Sequence, residues 1–190
     1  FHAIAAKAED GTPCADHMGE TGAGHFVKAV HNGIEYADMQ MIAETYGVMR
    51  DGMGLASEAI GQIFARWNEG TLRSYLVELS AAVALARDPV AGGPLLDMIV
   101  DAAGHKGTGR WTAIEAQNLG TPIPVIEAAV MARNVSSRRS ERAAGEALYG
   151  PAPKRADVSL EDLEHALIAG KILCYAQGFA MMTAAAGEFG

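Results

Sequence analysis

The sequence is poor in aromatic residues and has fewer basic than acidic side chains. Aromatic residues make up only 6% of its 190 positions, although the hydrophobic share is 49% and includes nine methionines. Because strands favour aromatic and β-branched residues, this composition indicates a helical protein. Fifteen lysines and arginines against 23 acidic residues give a net charge of −8. That balance argues against a nucleic-acid-binding surface and against binding to an anionic membrane.

Sequence signatures of other protein classes are also missing. The two cysteines, Cys14 and Cys174, stand alone, as is typical of a reduced cytoplasmic protein. No His, Cys and Asp cluster has metal-ligand spacing, so we predict no metal site. No uninterrupted apolar run reaches about 18 residues, and we therefore predict no membrane span. No G-x-G-x-x-G joins a strand to a helix, so the cofactor-binding residues are unknown.

The chain does contain one long helical pattern, from Gly24 to Met49, and we predict a fold organised around it. At about 100° per residue, its apolar side chains fall on one side of the helix. The opposite side carries a polar patch spaced by three and four residues, and the residues beyond that patch are again apolar. We therefore predict a buried helix with the patch at the mouth of a cleft. The patch consists of Lys28, His31, Asn32 and Glu35, with Tyr36 beside it.

The polar patch has groups suited to proton transfer. A lysine partly withdrawn from water loses basicity and can act as a general base near neutral pH. Glu35 follows Lys28 by seven residues, which places it roughly 10 Å along the helix axis. The competing interpretation is that the patch is the solvated face of an ordinary amphipathic helix.

A second candidate site is the glycine-rich stretch from Gly104 to Thr112. Glycines allow the backbone to approach a ligand, Lys106 adds a positive charge, and a helix N-terminus attracts anions. We place that N-terminus at a capping box of Thr112 and Glu115. A capped turn with solvated cations is the alternative. Further on, we predict one helix from Thr121 to Leu148 and a core segment from Lys171 to Phe179. Most of the arginine run in that helix, Arg138, Arg139 and Arg142, is predicted to be a solvated face.

Two motifs resemble the decarboxylating 6-phosphogluconate dehydrogenases. They are AGHFVKAVHNGIEYADMQ, which begins at Ala23, and KGTGRW, which begins at Lys106. The resemblance implies that Lys28 is the general base for hydride abstraction at C3. It implies that Glu35 is the general acid that protonates C1 after carbon dioxide leaves. The substrate contacts that it implies are His31 and Asn32, with Tyr36, Lys106, Thr108 and Arg133 at the phosphate.

The resemblance also implies how the chain is organised. Residues 1–20, with a short strand from Cys14 to Gly19, would end a truncated dinucleotide-binding domain. Residues 21–190 would form an all-α domain that binds 6-phosphogluconate and lacks its last helices and tail. NADP would be held mainly by the missing domain, and no metal would be needed. The parent enzyme would be a cytoplasmic homodimer of the pentose phosphate pathway, and this fragment would be inactive alone.

Two other functions remain open at this stage. One is a non-catalytic helical domain that mediates subunit association. The other is a related β-hydroxyacid dehydrogenase, which would keep the lysine but not the phosphate-binding Lys106 and Arg133. The first alternative predicts that the polar residues scatter over the surface, whereas catalysis predicts that they surround one cavity.

Overall fold

The fold is all-α, as the composition predicts. The computed structural model describes residues 1–104, 106–150 and 156–189, and within these ranges it contains no strand. Its helices are α1 (Ala23–Gly47), α2 (Ser57–Trp67), α3 (Tyr75–Leu85), α4 (Leu95–Met98), α5 (Thr108–Asn118), α6 (Pro124–Ser136), α7 (Arg139–Tyr149) and α8 (Leu160–Phe189), with a π-helical turn, Val48–Gly52, extending α1.

Helix α1 lies at the centre and is buried along both halves, which confirms the organising role predicted for it. In its first half, Val30 and Ile34 enter a core formed with α6 and α8, where Ile126 and Met181 are fully buried. In its second half, Ile42 enters a second core, which α1 shares with α2, α3 and α8. By burying apolar area on both sides, α1 joins the two cores, as does α8.

The approach of α8 to α1 depends on Gly178. A Cβ atom at this position would overlap the side chain of Ile34. The missing side chain therefore allows the two longest helices to pack with their backbones close together. Since α8 also contributes Cys174 and Met181 to the first core, it forms one of the walls around α1.

The strand predicted from Cys14 to Gly19 is wrong. Residues 1–22 form turns, and their only ladder-type contact is an isolated antiparallel bridge between Lys7 and Pro13. A strand is stable only beside a partner strand, and the described residues provide none. Helix α1 then begins at Ala23.

The single helix predicted from Thr121 to Leu148 is also wrong. Helix α6 ends at Ser136, and α7 begins at Arg139 after Arg138, whose ψ of 54° is not helical. The hydroxyl of Ser137 donates a 2.8 Å hydrogen bond to the carbonyl of Asn134. Serine side chains that bond to nearby backbone compete with helix continuation, which explains the break at this point.

Helix α8 is the one described helix long and apolar enough to cross a membrane by length and composition. Its most apolar 18-residue window has a mean hydropathy of 1.3, and 22% of that window is buried. The core helices of soluble proteins meet the same criterion. The low buried share shows that much of its apolar surface lies outside both cores.

Candidate functional site

The polar patch predicted on α1 lies on the outward face of the helix. Lys28 and His31 are exposed, whereas Asn32 and Glu35 are half-buried. Nε2 of His31 lies 3.8 Å from Oε2 of Glu35, one helical turn away. The exposed position of Lys28 means that the predicted withdrawal of its ammonium group from water is not provided by this chain alone.

The two sides of α1 that meet at this patch differ in structure. We call the side of His31, Glu35 and Asp38 the cavity flank, because it faces a cavity. We call the side of Gly33 and Tyr36 the glycine flank, because two glycines allow α5 to approach there. At 100° per residue, Lys28 and Asn32 lie on the strip of α1 between the two flanks.

The cavity has a volume of about 400 Å³ and lies between α1, α8 and the start of α3. His31 and Glu35 line it on α1, and Tyr175 lines it on α8. Burial, followed by the charge of Asp38, raises the pKa of Tyr175, so this phenol stays neutral at physiological pH. The structure thus brings two of the predicted site residues, His31 and Glu35, to one concave surface.

A buried ion pair lies beside this cavity. Nζ of Lys171, on α8, lies 2.6 Å from Oδ2 of Asp38, and the two side chains are only 15% and 7% exposed. The same ammonium group lies 3.5 Å from the hydroxyl of Ser74. Oδ1 of Asp38 is buried and has no hydrogen-bond partner among the described residues. The pair ties α1 to α8 and was missed by the sequence analysis, which assigned Lys171 only to a core segment.

On the glycine flank, the ring of Tyr36 is enclosed by α5 and α6. The guanidinium carbon of Arg133 lies 4.5 Å from the centre of the ring, in the geometry of a cation–π contact. A Cβ at Gly109 would lie 2.9 Å from two carbons of the same ring. Nη1 of Arg133 also donates a 3.0 Å hydrogen bond to the carbonyl of Gly104. The structure therefore places Tyr36 and Arg133 together, next to the glycine-rich stretch.

Thr112 does not cap α5, so the capping box predicted there is wrong. The helix begins four residues earlier, at Thr108, after Gly107 with a φ of 106°. Thr112 is fully buried, and its hydroxyl donates a 2.7 Å hydrogen bond to the carbonyl of Ala29 on α1. A Cβ at Gly33 would lie 2.6 Å from the Thr112 methyl carbon. Gly33, a glycine inside a helix, was the sequence signal for this close packing.

The remaining predicted residues lie at the start of α5. Lys106 is exposed, and Thr108 is the half-buried first residue of the helix. The carbonyl of Thr108 accepts a 3.1 Å hydrogen bond from Thr112. His105, which belongs to the same motif, lies outside the described residues. The first-turn N–H groups of α5 have no helical partners and carry a partial positive charge, so this corner combines two features that attract anions.

The described part of the chain contains no group of three or more His, Cys, Asp or Glu residues that could hold a metal ion. The polar patch of α1 carries several kinds of reactive group. It offers an amine, an imidazole, an amide and a carboxyl group on one helix, with basic groups beyond Tyr36.

Comparisons with known proteins identify the family of this domain. A family described as "6-phosphogluconate dehydrogenase, C-terminal domain" matches residues 24–190. The decarboxylating 6-phosphogluconate dehydrogenase of Schizosaccharomyces pombe is 50% identical over all of this chain and 39% of its own length. The NADP(+)-dependent, decarboxylating enzyme of Bacillus subtilis is 46% identical over all of this chain and 41% of its own length.

A solved structure has the same fold. The 6-phosphogluconate dehydrogenase of Plasmodium falciparum, described in apo form and with NADP+ or 6-phosphogluconate, superposes with a TM-score of 0.86 at 37% identity. The superposition covers 95% of this chain and 40% of that one. The chain thus spans about two fifths of the length of the relatives that it matches. Since the family match covers residues 24–190 and these relatives are 46–50% identical over all of the chain, the chain belongs to the 6-phosphogluconate dehydrogenase family and corresponds to its C-terminal domain.

Proposed function

We propose that this chain supplies the substrate-binding and proton-transfer part of a decarboxylating 6-phosphogluconate dehydrogenase. The whole enzyme would convert 6-phosphogluconate to ribulose 5-phosphate and carbon dioxide with reduction of NADP, in the cytoplasmic pentose phosphate pathway. The observation that carries the proposal is the stack of Arg133 on Tyr36. It brings a guanidinium group from α6 to Tyr36, the residue that follows Glu35 on α1, so a phosphate and a reacting carbon can be held at opposite ends of one sugar acid.

The proton transfers are assigned to the two ionisable groups of the patch. Lys28 would take the proton of the C3 hydroxyl as that carbon is oxidised, and Glu35 would give a proton to C1 of the enediol after carbon dioxide leaves. Lys28 lies between the two flanks, while Glu35 lines the cavity. His31 and Asn32, between them on the helix, would bind substrate hydroxyls. General acid–base groups must come within about 3 Å of the atoms that they serve, and two long side chains about two turns apart can still reach a common ligand.

The phosphate would bind at the corner formed by α5 and α6. A planar guanidinium binds phosphate oxygens with two parallel hydrogen bonds, which suits Arg133. Lys106 would add a second positive charge, and Thr108 a hydroxyl at the first turn of α5. In a protein with a net charge of −8, such a local basic group is needed to attract a dianion.

NADP does not fit the residues described here. A dinucleotide site requires a strand, a glycine-rich turn and a helix, and the described residues contain no strand. We propose that residues 1–20 are the end of a nucleotide-binding domain and that residues 21–190 form the substrate domain. The 190-residue chain should then show no reduction of NADP that depends on 6-phosphogluconate. Turnover by the purified chain, measured by absorbance at the wavelength of NADPH, would contradict this division of labour.

We also propose that the parent enzyme is a homodimer in which the outer face of α8 is covered. Apart from Phe179, which lines the cavity, α8 exposes the adjacent Ile172 and Leu173, at 64% and 51%. Exposed large apolar side chains are typical of a subunit interface. The same face is the observation that favours the alternative of a purely associative domain. Sedimentation of a Leu173→Glu variant should show a smaller species than the unaltered chain, and an unchanged mass would exclude α8 as the interface.

Binding by the isolated chain tests the phosphate assignment. Charge-assisted hydrogen bonds are worth roughly 1.5–3 kcal/mol each, and the cost of association offsets much of that gain. We therefore expect an affinity of about millimolar for 6-phosphogluconate, with weaker binding of gluconate and a decrease with added salt. In NMR titrations, Arg133→Ala should remove the preference for the phosphorylated ligand. Arg139→Ala, on an exposed residue of α7, should keep it. Equal effects of the two variants would mean that the phosphate site is misplaced.

A further inference from the structure

The segment just before the phosphate-binding motif is held by side chains from α6 and α7. The segment runs from Asp101 to Gly104 and has no helix of its own. The backbone N–H of Ala103 donates a 3.0 Å hydrogen bond to the hydroxyl of Ser136. Arg133 donates to the carbonyl of Gly104 at 3.0 Å. Two neighbouring residues of the segment are thus bound through their backbones to side chains of the last turn of α6, upstream of Lys106.

Arg142 makes the most extensive contact with this segment. Its Nη1 lies 2.9 Å from Oδ2 of Asp101, and its Nη2 donates to the carbonyls of Asp101, at 2.6 Å, and of Ser136, at 3.1 Å. One guanidinium group thereby joins the segment to the C-terminal end of α6. Carbonyls at a helix C-terminus lack helical partners, and an arginine is well suited to bind them.

The hydrogen bonds from Arg142 to backbone carbonyls contribute more to stability than its ion pair with Asp101. The Asp101 side chain is 79% exposed, whereas that of Arg142 is 30% exposed. An ion pair with so exposed a carboxylate is screened and weak. Hydrogen bonds from a charged donor to backbone carbonyls are stronger than neutral ones, and they fix the path of the chain. This arrangement differs from the sequence prediction, which placed Arg142 with the solvated arginines of the Thr121–Leu148 helix.

We propose that Arg142 is a positioning residue for the phosphate site. It does not touch the site but holds the Asp101–Gly104 segment against α6, so that Lys106 and Thr108 keep a fixed distance from Arg133. This inference rests on the proposed function of that corner and extends it. Selection of a phosphorylated sugar acid over its unphosphorylated form would then depend on a side chain of α7, behind the binding surface.

Arg139 provides the matched control. It is an exposed arginine on the same helix, one turn earlier, and its side chain makes no hydrogen bond or ion pair with the described part of the chain. Both changes to alanine remove one positive charge from α7. A difference between them therefore reports the contacts of Arg142 rather than the net charge of the surface.

The test is a set of NMR titrations of the 190-residue chain with 6-phosphogluconate and with gluconate. Arg142→Ala should weaken binding of 6-phosphogluconate by about tenfold, as expected for the loss of one charge-assisted contact, and leave gluconate binding unchanged. Arg142→Lys should give an intermediate loss, because a single ammonium group cannot span three acceptors. Asp101→Asn should have the smallest effect, since the carbonyl contacts remain. Amide hydrogen exchange at Ala103 should accelerate in Arg142→Ala and not in Arg139→Ala.

The outcomes separate this inference from the function on which it rests. If the unaltered chain binds both ligands equally, the assignment of the phosphate site is wrong, and the proposed role of Arg142 is wrong as well. If the unaltered chain prefers 6-phosphogluconate and Arg142→Ala keeps that preference, only the positioning role is overturned. A merely structural role would weaken binding of both ligands alike and lower the melting temperature in proportion, which would also contradict the proposal.

Discussion

The two flanks of α1 are built in different ways, although they border the same polar patch. On the glycine flank, Gly33 and Gly109 bring α5 so close that no further atom fits beside Thr112 or Tyr36. On the cavity flank, an open space of about 400 Å³ separates Glu35 from Tyr175. Steric contact sets the geometry of the first flank, and the buried pair of Asp38 and Lys171 sets that of the second.

This difference matches the tasks that we propose for the two flanks. A phosphate is held best by groups whose positions do not change, and close packing of small residues provides that rigidity. A reacting sugar chain needs room, together with groups that can gain or lose a proton. The strip of α1 that carries Lys28 and Asn32 joins the two flanks.

The largest effect is expected from breaking the ion pair of the cavity flank. Asp38→Ala leaves the ammonium group of Lys171 buried without its partner, which should cost about 3–5 kcal/mol of stability. Chemical denaturation measures this loss. As a control, Glu141→Ala breaks an ion pair whose side chains are 63% and 73% exposed and should cost less than about 1 kcal/mol. Equal losses in the two variants would show that the buried pair does not support this flank.

A smaller loss is expected on the glycine flank. Gly33→Ala places a methyl group 2.6 Å from the buried Thr112 methyl carbon, and such overpacking should cost about 1–3 kcal/mol. Gly47→Ala in the same helix meets no atom within 4 Å and should stabilise the protein by up to about 1 kcal/mol, because alanine favours helix. If both variants change the free energy of unfolding in the same direction, steric contact does not set the approach of α5.

The smallest expected effect is on reactivity rather than stability, and it concerns the side of α8 that faces the core. Burial, followed by the charge of Asp38, raises the pKa of the Cys174 thiol to about 11. A thiol reagent at pH 8 should therefore modify the exposed Cys14 at once and leave Cys174 unmodified in the folded protein. Cys174 should react only as the pH approaches that value or as the protein unfolds. Rapid labelling of both cysteines at pH 8 would show that α8 is not packed against α1 as described.

The sequence predicted the elements better than the contacts between them. The period of the apolar residues was enough to identify α1 as the buried central helix, because that pattern depends only on local geometry. The same pattern could not show whether residues Cys14 to Gly19 form a strand, since a strand depends on a partner elsewhere in the chain. The break between α6 and α7 depends on Ser137, whose side chain competes with the helix in a way that residue type alone does not reveal.

For the site, too, the sequence predicted individual residues better than the contacts between them. Motif resemblance named Tyr36 and Arg133 as phosphate ligands, and the structure places them in contact. Their roles remain predictions. Lys171 and Thr112 gave no functional signal, because each acts on a residue far away in the chain, Asp38 or Ala29. Arg142 was grouped with the solvated arginines for the same reason. Contacts across 40 or more positions are a property of the fold and cannot be read from spacing.

The central claim is that both flanks bind one ligand, and a single titration tests it most directly. As 6-phosphogluconate is added to the 190-residue chain, backbone amide signals are followed at Glu35, for the cavity flank, and at Thr108, for the phosphate corner. We predict that both signals shift along the same saturation curve, with one dissociation constant of about millimolar, and that gluconate shifts Glu35 more than Thr108. Two different constants, or a response at only one of the two positions, would contradict the account.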